Sequence, residues 1–353
     1  MSLWHYPTMG AAVRATAEIN DQARSPAPGA EFADCVLAAV HSIVRFDGYC
    51  LLGLDPVSGL RSFMFSKHGL NDSRRLAYNE FVERDVNRYA DLGAATNPVG
   101  VLSFGAARAP SSPRLHEILR PAGFGSELRL ALRSNGMVFG ALVLFREDGR
   151  RPFTEAEASL ANGLAACLST AVRRYPVRTV TASLEVLPAG VVVLDANNYV
   201  QHCTDEAAAW LDDLRAGDGD DLQVDDVLRV VYDVANATRR SLANDRSATT
   251  RCVTRTTSGR WLAVEGSCWE PEAAEVAVTL HAATLAEVLA EAAAGYGLTP
   301  RETDEFKLLS RGLPAKQMAR RLQLSPMTVN DHLRAVYRKA HVCGREALLA
   351  QLT

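Results

Sequence analysis

What this sequence of 353 residues lacks narrows the reading first. It has seven cysteines (Cys35, Cys50, Cys167, Cys203, Cys252, Cys268 and Cys343), an odd number with no CxxC pair. That argues against a disulfide framework or a zinc site and for reduced, mostly buried small apolar side chains. Long apolar runs are also missing. The uncharged stretches Leu92–Ala107 and Ala158–Val172 fall short of the roughly 20 residues that a membrane helix needs. The N-terminus, MSLWHYPTMG, has no basic segment followed by an apolar one. No membrane contact and a cytoplasmic location are therefore expected. No P-loop, GxSxG, HExxH or kinase signature occurs, so no catalytic residue, metal ligand or cofactor is assigned and an enzyme is not expected.

Hydrophobic residues make up 48% and charged residues 22%, a globular balance; at roughly 100–200 residues per domain, two or three domains fit. Charge is unevenly spread. Residues 297–353 carry ten Lys/Arg against five Asp/Glu, whereas the rest carries 28 against 36. A basic tail on an acidic body suits a polyanion-binding module.

Residues 1–29 read as an extension with a helix. A first block, 30–176, opens on a helical pattern (Phe32, Val36, Leu37, Val40, Ile43, Val44) and continues with strands Tyr49–Leu54 and Leu60–Ser66. Asn71–Tyr89 reads as one helix with Leu76, Phe81 and Val82 inward, and strands Leu128–Arg133 and Val138–Phe145 flank the Asn135-Gly136 turn. A closing helix starts at the capping box Thr154-Glu155-Ala156-Glu157 and is expected to end at Pro176.

A second block, 181–283, reads as strands Gly190–Asp195 and Tyr199–Cys203, helices Asp205–Leu214 and Asp225–Ala237, an acidic loop Asp212–Asp226 joining them, then strands Ala248–Thr256, Trp261–Trp269 and Glu275–Ala282. Residues 284–297 follow as a signalling helix, Thr284–Ala294, with Leu285, Val288, Leu289 and Ala292 on one face, broken at Gly295-Tyr296-Gly297. That face is expected either to pair across a dimer or to close the second domain.

Residues 298–353 are all helical by pattern. Thr299-Pro300-Arg301-Glu302 starts a helix that buries Phe306, Leu308 and Leu309 and stops at Gly312. After Pro314, a second helix turns Met318, Ala319 and Leu322 inward and Lys316, Gln317, Arg320 and Arg321 outward. The turn Gln323-Leu324-Ser325 leads into a third helix with Pro326 at its first position. Its apolar face is Val329, Leu333, Val336 and Ala340; its polar face is Met327, Asn330, Asp331, Arg334 and Arg338. Amide, carboxylate and guanidinium groups on one exposed helix face are what reading base edges in a major groove requires. Arg345–Leu352 closes the unit.

The set Leu298-Thr-Pro-Arg-Glu302, Gly312, Met318-Ala319, Leu322, Leu324-Ser325, Thr328-Val329, His332 and Tyr337-Arg-Lys339 resembles the LuxR-type helix-turn-helix. The resemblance implies a homodimer whose third helices contact double-stranded DNA and whose last helices contact each other, with RNA polymerase as a further partner. By position it assigns Lys316, Arg320, Thr328, Asn330, Asp331, Arg334, Arg338 and Lys339 to DNA. Asn330 departs from the family's usual Lys, and Ala340 from its usual Leu. Asp331 is expected to accept from a cytosine amino group and Asn330 to face adenine. His332 reads as an internal packing or phosphate-orienting residue.

The phrases Gly140-Ala-Leu-Val-Leu-Phe145 and Phe153-Thr-Glu-Ala-Glu157 resemble the last strand and last helix of a GAF domain, an α+β sensor or dimerisation module. Pro188-Ala-Gly-Val-Val-Val-Leu-Asp195 resembles the first strand of a PAS domain, also α+β, although Thr204 stands near the place of that family's common Asn. The GAF resemblance implies a small-molecule effector; Phe63, Phe65, Tyr78, Phe81, Phe104 and His116 are the expected lining residues. The whole reads as a bacterial ligand-responsive regulator. The alternatives are control by phosphorylation or a protein partner, a GAF/PAS-regulated enzyme, and an interaction protein whose basic module binds protein. Asp195 stands alone, without the paired acids of a phosphoacceptor domain.

Overall fold

The computed structural model of the chain describes residues 9–27, 29–56, 58–68, 70, 72–104, 112–178, 187–215, 228–243, 250–270 and 274–352. Helices α1 (Met9–Arg24) and α2 (Ala30–His41) precede strands β1 (Gly48–Leu54) and β2 (Arg61–Lys67). Then come α3 (Ser73–Phe81), α4 (Tyr89–Ala94), β3 (Val99–Ser103), a π-helical stretch (Arg114–Leu119), β4 (Phe124–Ser134) and β5 (Met137–Glu147). Helices α5 (Glu155–Gly163) and α6 (Ala165–Arg178) close the unit. The five strands form one antiparallel sheet in the order β2-β1-β5-β4-β3.

Side-chain alternation sends the strands' residues to two different cores. Leu51, Leu128, Leu130, Leu142 and Leu144 join α1, α2 and α6 on one face, while Cys50, Leu52, Leu54, Val143 and Phe145 meet the π-helical stretch and its neighbours on the other. Asn135 and Gly136 both have positive φ, 51° and 80°, as the tight β4–β5 turn demands.

Three expectations need correction here. The helix read over Asn71–Tyr89 is two, α3 and α4, and the stretch between them is held by side chains instead: Tyr89 N–H donates to Glu80 Oε1 at 2.7 Å and Val86 N–H to Asp85 Oδ1 at 2.7 Å. The closing helix breaks at Leu164 and runs through Pro176. So near a helix end, proline removes only one backbone bond and leaves the last turn intact. Val82, expected inward, is 41% exposed.

The second domain contains β6 (Gly190–Leu194), β7 (Val200–Cys203), α7 (Asp205–Arg215), α8 (Arg229–Ala243), β8 (Thr250–Arg255), β9 (Trp261–Glu270) and β10 (Glu275–Ala282). Its antiparallel sheet runs β7-β6-β10-β9-β8, the same permutation as the first sheet. Helix α7 takes in Asp212 and Asp213, where the expected helix Asp205–Leu214 and the expected acidic loop Asp212–Asp226 overlap; loop residues 216–226 lie outside the described residues. Trp210 is fully buried and donates from Nε1 to Pro188 O at 2.8 Å.

The first and second domains share a core. Leu60, Ala77 and Phe81 of the first pack with Val192, Trp210, Tyr232 and Val264 of the second, and α3 lies along α8. Cys252 Sγ donates to Arg61 O at 3.1 Å, and Thr254 Oγ1 to Ser62 O, so β8 lies beside β2.

Helix α9 (Leu285–Tyr296) begins with a Thr284/Glu287 capping box and ends on Gly297, whose φ of 67° is left-handed. The helix expected to end at Ala294 runs two residues further, to Tyr296, and of the expected Gly295-Tyr296-Gly297 break only Gly297 leaves helical geometry. Arg173 Nη1 lies 2.0 Å from where a Cβ on Gly297 would stand, so a larger residue there has to displace that guanidinium as well as adopt the left-handed backbone. The α9 face expected to pair across a dimer is used within the chain. Val288, Leu289 and Ala292 are buried with Val177, Trp261 and the C-terminal helices, while Leu285 remains 52% exposed. Those helices are α10 (Pro300–Ser310), α11 (Ala315–Leu322), α12 (Pro326–Ala340) and α13 (Arg345–Ala350).

Candidate functional site

The C-terminal unit presents a helix-turn-helix in α11 and α12. Gln323 adopts a left-handed φ of 56° and ends α11; two residues later, Ser325 Oγ accepts from Thr328 N–H at 3.0 Å and caps α12. Val329, Leu333, Val336 and Ala340 are buried, whereas Met327, Asn330, Asp331, Arg334 and Arg338 are exposed, Met327 to 76%. On α11, Met318 and Ala319 are buried while Lys316, Gln317, Arg320 and Arg321 face water. Thus an exposed cationic and amide surface spans both helices. Arg334 Nη1 donates to Asp331 Oδ1 at 3.2 Å, which orients the two groups side by side on one face.

Two further assigned side chains also have partners within the unit. Lys339 Nζ lies 2.5 Å from Glu302 Oε2, and that carboxylate also completes the cap of α10 by accepting from Thr299 N–H at 2.7 Å. Thr328 Oγ1 pairs with Ser325 Oγ at 2.9 Å. His332 Nδ1 pairs with Glu305 Oε1 at 2.6 Å beneath the helix. Burial pushes the Glu305 carboxyl up, and His332 only partly offsets that. His332 is therefore a packing and orienting group between α10 and α12.

The first domain holds a cavity between its sheet and α3 and α4, closed on one side by Arg229 of α8. About 30 Å³ of it is free to the centres of water molecules, room for about two waters. Of the six side chains expected to line it, only Phe81 does. Phe63 and Phe65 point to the other face of the sheet and pack on Tyr175, at centroid distances of 4.9 and 5.4 Å. The Phe63 ring covers Gly53, beside a bulge that shifts the β1–β2 register. Tyr78 is 44% exposed. Phe104 and His116 pack edge-on at 5.7 Å, away from the lining.

The lining that sequence reasoning missed is polar. Glu127 Oε1 accepts from Arg129 Nε at 3.0 Å and Glu127 Oε2 from Arg114 Nε at 3.0 Å; Glu80 Oε2 accepts from Arg129 Nη1 at 2.8 Å. Leu70 N–H donates to His68 Nδ1 at 2.8 Å, so the ring proton is on Nε2, which donates to Cys50 Sγ at 3.1 Å. Burial pushes the Cys50 thiol up to about 11, keeping it protonated at neutral pH. A signal was present: Glu127 and Arg129 sit two apart on a strand and alternate with Leu128 and Leu130, so both charges share one covered face.

Residues 30–172 match the GAF domain family, and residues 296–350 match the bacterial regulatory proteins of the luxR family. A putative HTH-type transcriptional regulator of Mycobacterium bovis is 47% identical over 58 residues, 16% of this chain and 7% of that protein. The nitrate/nitrite response regulator protein NarL of Escherichia coli K12 is 44% identical over 48 residues, 14% of this chain and 22% of that one. The chain thus spans less than a quarter of the length of these relatives. The solved GAF domain of an Acinetobacter phosphoenolpyruvate-protein phosphotransferase is 18% identical with a TM-score of 0.32, covering 52% of this chain and 100% of that one. The chain carries a GAF domain followed, at its C-terminal end, by a luxR-family helix-turn-helix domain.

Proposed function

We propose that the chain is a bacterial transcription regulator that binds promoter DNA through α12 and is controlled by a small molecule in its first domain. The observation that carries this reading is the exposed face of Asn330, Asp331, Arg334 and Arg338 on a capped helix whose opposite face is buried. The luxR-family match over the same residues supports it. Docking of the C-terminal unit on α9 and α6 uses its other side, so the reading face stays open to a duplex.

In this reading Lys316, Arg320 and Arg338 hold phosphates, Asn330, Asp331 and Arg334 reach base edges, and Thr328 and Lys339 support the frame. The second domain is a PAS-like relay; the strand order it shares with the first sheet supports this. A homodimer places two α12 helices on half-sites about one helical turn apart. RNA polymerase is then contacted according to where the site lies. Chemistry at a bound cofactor has no part in the reading.

Fluorescence anisotropy of the full chain on the DNA upstream of its own coding sequence, over a salt series, tests it. Specific binding that falls steeply with salt and is lost in Arg334→Ala is expected. Binding that is indifferent to sequence and to Arg334 would overturn it.

A further inference from the structure

Two guanidinium groups from different domains converge on one sulfur. Arg61 Nη1 lies 3.7 Å and Arg229 Nη1 2.9 Å from Met64 Sδ, and all three side chains line the cavity. A thioether is a weak acceptor for such donors, whereas a carboxylate forms charge-assisted bonds about twice as strong as neutral ones. Both guanidiniums have partners elsewhere on the fork: Arg61 Nε and Nη2 donate to Asp233 at 2.5 and 2.6 Å, Asp233 being fully buried, and Arg229 Nε donates to Ser73 Oγ at 2.5 Å. The acids on the opposite wall, Glu127 and Glu80, are committed to Arg114 and Arg129. The remaining wall is largely apolar, with Leu52, Leu54, Val143 and Phe145 in it.

We propose that the cavity takes a small carboxylic acid with a short apolar tail, its carboxylate seated between Arg61 and Arg229 where Met64 Sδ now lies. This rests on the reading of the first domain as a sensor and adds the ligand class and the way binding is felt. Arg61 belongs to β2 and Arg229 to α8, so half of the seat comes from the second domain. The incoming carboxylate competes with Asp233 for Arg61. Because the Arg61–Asp233 pair ties α8 to β2, occupancy loosens that tie and shifts α8 against the first domain. The space now free admits only about two waters, so entry of anything larger requires that shift.

Isothermal titration of the full chain with butyrate and hexanoate, each beside the alcohol of the same length, tests the seat. The acids are expected to bind at least about 10-fold more tightly than the alcohols. Asp233→Asn removes the competing charge while keeping the side-chain shape, and should tighten acid binding about 10-fold; Arg229→Gln should weaken it about 10-fold. Hydrogen exchange along α8 in the unmodified chain should rise on adding hexanoate, a readout that does not depend on any variant folding. Equal binding of acids and alcohols, no binding of either acid, or an Asp233→Asn variant with unchanged affinity would each overturn the proposal. If no acid binds but another small molecule alters DNA affinity, the sensor reading stands and the seat fails. If acids bind as expected and DNA affinity ignores them, the seat stands and the sensor reading fails.

Discussion

Arg174, in the last helix of the first domain, reaches His341 Nε2 at 2.8 Å, and the same guanidinium donates to Lys339 O at 3.4 Å. His341 is the left-handed cap of α12, so the first domain touches the very end of the candidate recognition helix. A cation at a helix C-terminus contributes about 0.3–1 kcal/mol, and the contact is exposed, which keeps it at the lower end. Arg174→Ala should therefore leave the melting temperature nearly unchanged. Amide exchange around Ala340–Val342 should quicken by up to about fivefold, the factor that ~1 kcal/mol gives. Exchange mass spectrometry on the full chain checks it; unchanged protection there would mean that the contact holds nothing in place.

The cations of the C-terminal unit should separate into two kinds. Arg334 is exposed beside Asp331, and its loss on DNA should cost about 1–3 kcal/mol if it reads a base. Lys316→Ala should weaken all duplexes alike and lower the salt slope by about one. Lys339 differs because it already pairs with Glu302, whose carboxyl is pushed up by burial but held below its ordinary range by Lys339 and the Thr299 cap together. Lys339→Ala should show mainly as a lower melting temperature of the C-terminal unit, with a DNA salt slope close to that of the unmodified chain. Anisotropy and calorimetry on the three variants distinguish these outcomes.

The parts of the fold set by local rules were readable. The capping boxes at Thr154 and Thr299, the Asn135-Gly136 turn and the two faces of α12 each follow from neighbouring residues alone, and the structure has them all. The cavity depended on non-local facts. Which face of β2 an aromatic takes follows from cross-strand pairing: Phe65 lies opposite Leu51 and Met64 opposite Leu52, so Phe63 and Phe65 went to the far side and Met64 to the near one, while the bulge between Phe63 and Arg61 brings Arg61 to the near side too. Arg229 enters the first domain's cavity from 165 positions beyond Met64, a juxtaposition that no local pattern carries. The apolar stripe of α9 was visible, but its partner was a neighbouring part of the same chain. Periodicity shows that a face is covered and not by what.

Glu291 on α9 should make stability depend on pH. Burial, and after it the like charge of Asp55, pushes its carboxyl from 4.5 up to about 8. The buried Cys252 thiol faces the same acids, and burial with Asp55, Glu291 and Asp233 raises it as well. In the unfolded chain Glu291 loses its proton near 4.5, while the folded chain keeps it to about 8. The folded state thus binds more protons across that window, and stability falls as pH rises through it. Above about 8 both states are ionised and the slope from this group ends. Glu291→Gln should flatten the decline between about pH 5 and pH 8, as followed by denaturant melts. An unaltered slope would mean that Glu291 is ionised in the folded chain.

Phe306 tests how far the C-terminal unit leans on the rest. It is fully buried, packs edge-on against Tyr296 of α9 at 6.2 Å, and belongs to one core with Val177 of the first domain and Trp261 of the second. Phe→Ala in such a core costs about 3–5 kcal/mol, a large fraction of what a unit of this size has. The first domain's principal core, from Ile19 and Phe32 to Leu142 and Leu168, contains none of these residues. Phe306→Ala should then abolish DNA binding and unfold the C-terminal helices at or below 37 °C while the main calorimetric transition of the first domain keeps its temperature. A downward shift of that transition by the same amount would show instead that Val177 and Trp261 transmit the loss and that the chain melts as one cooperative body.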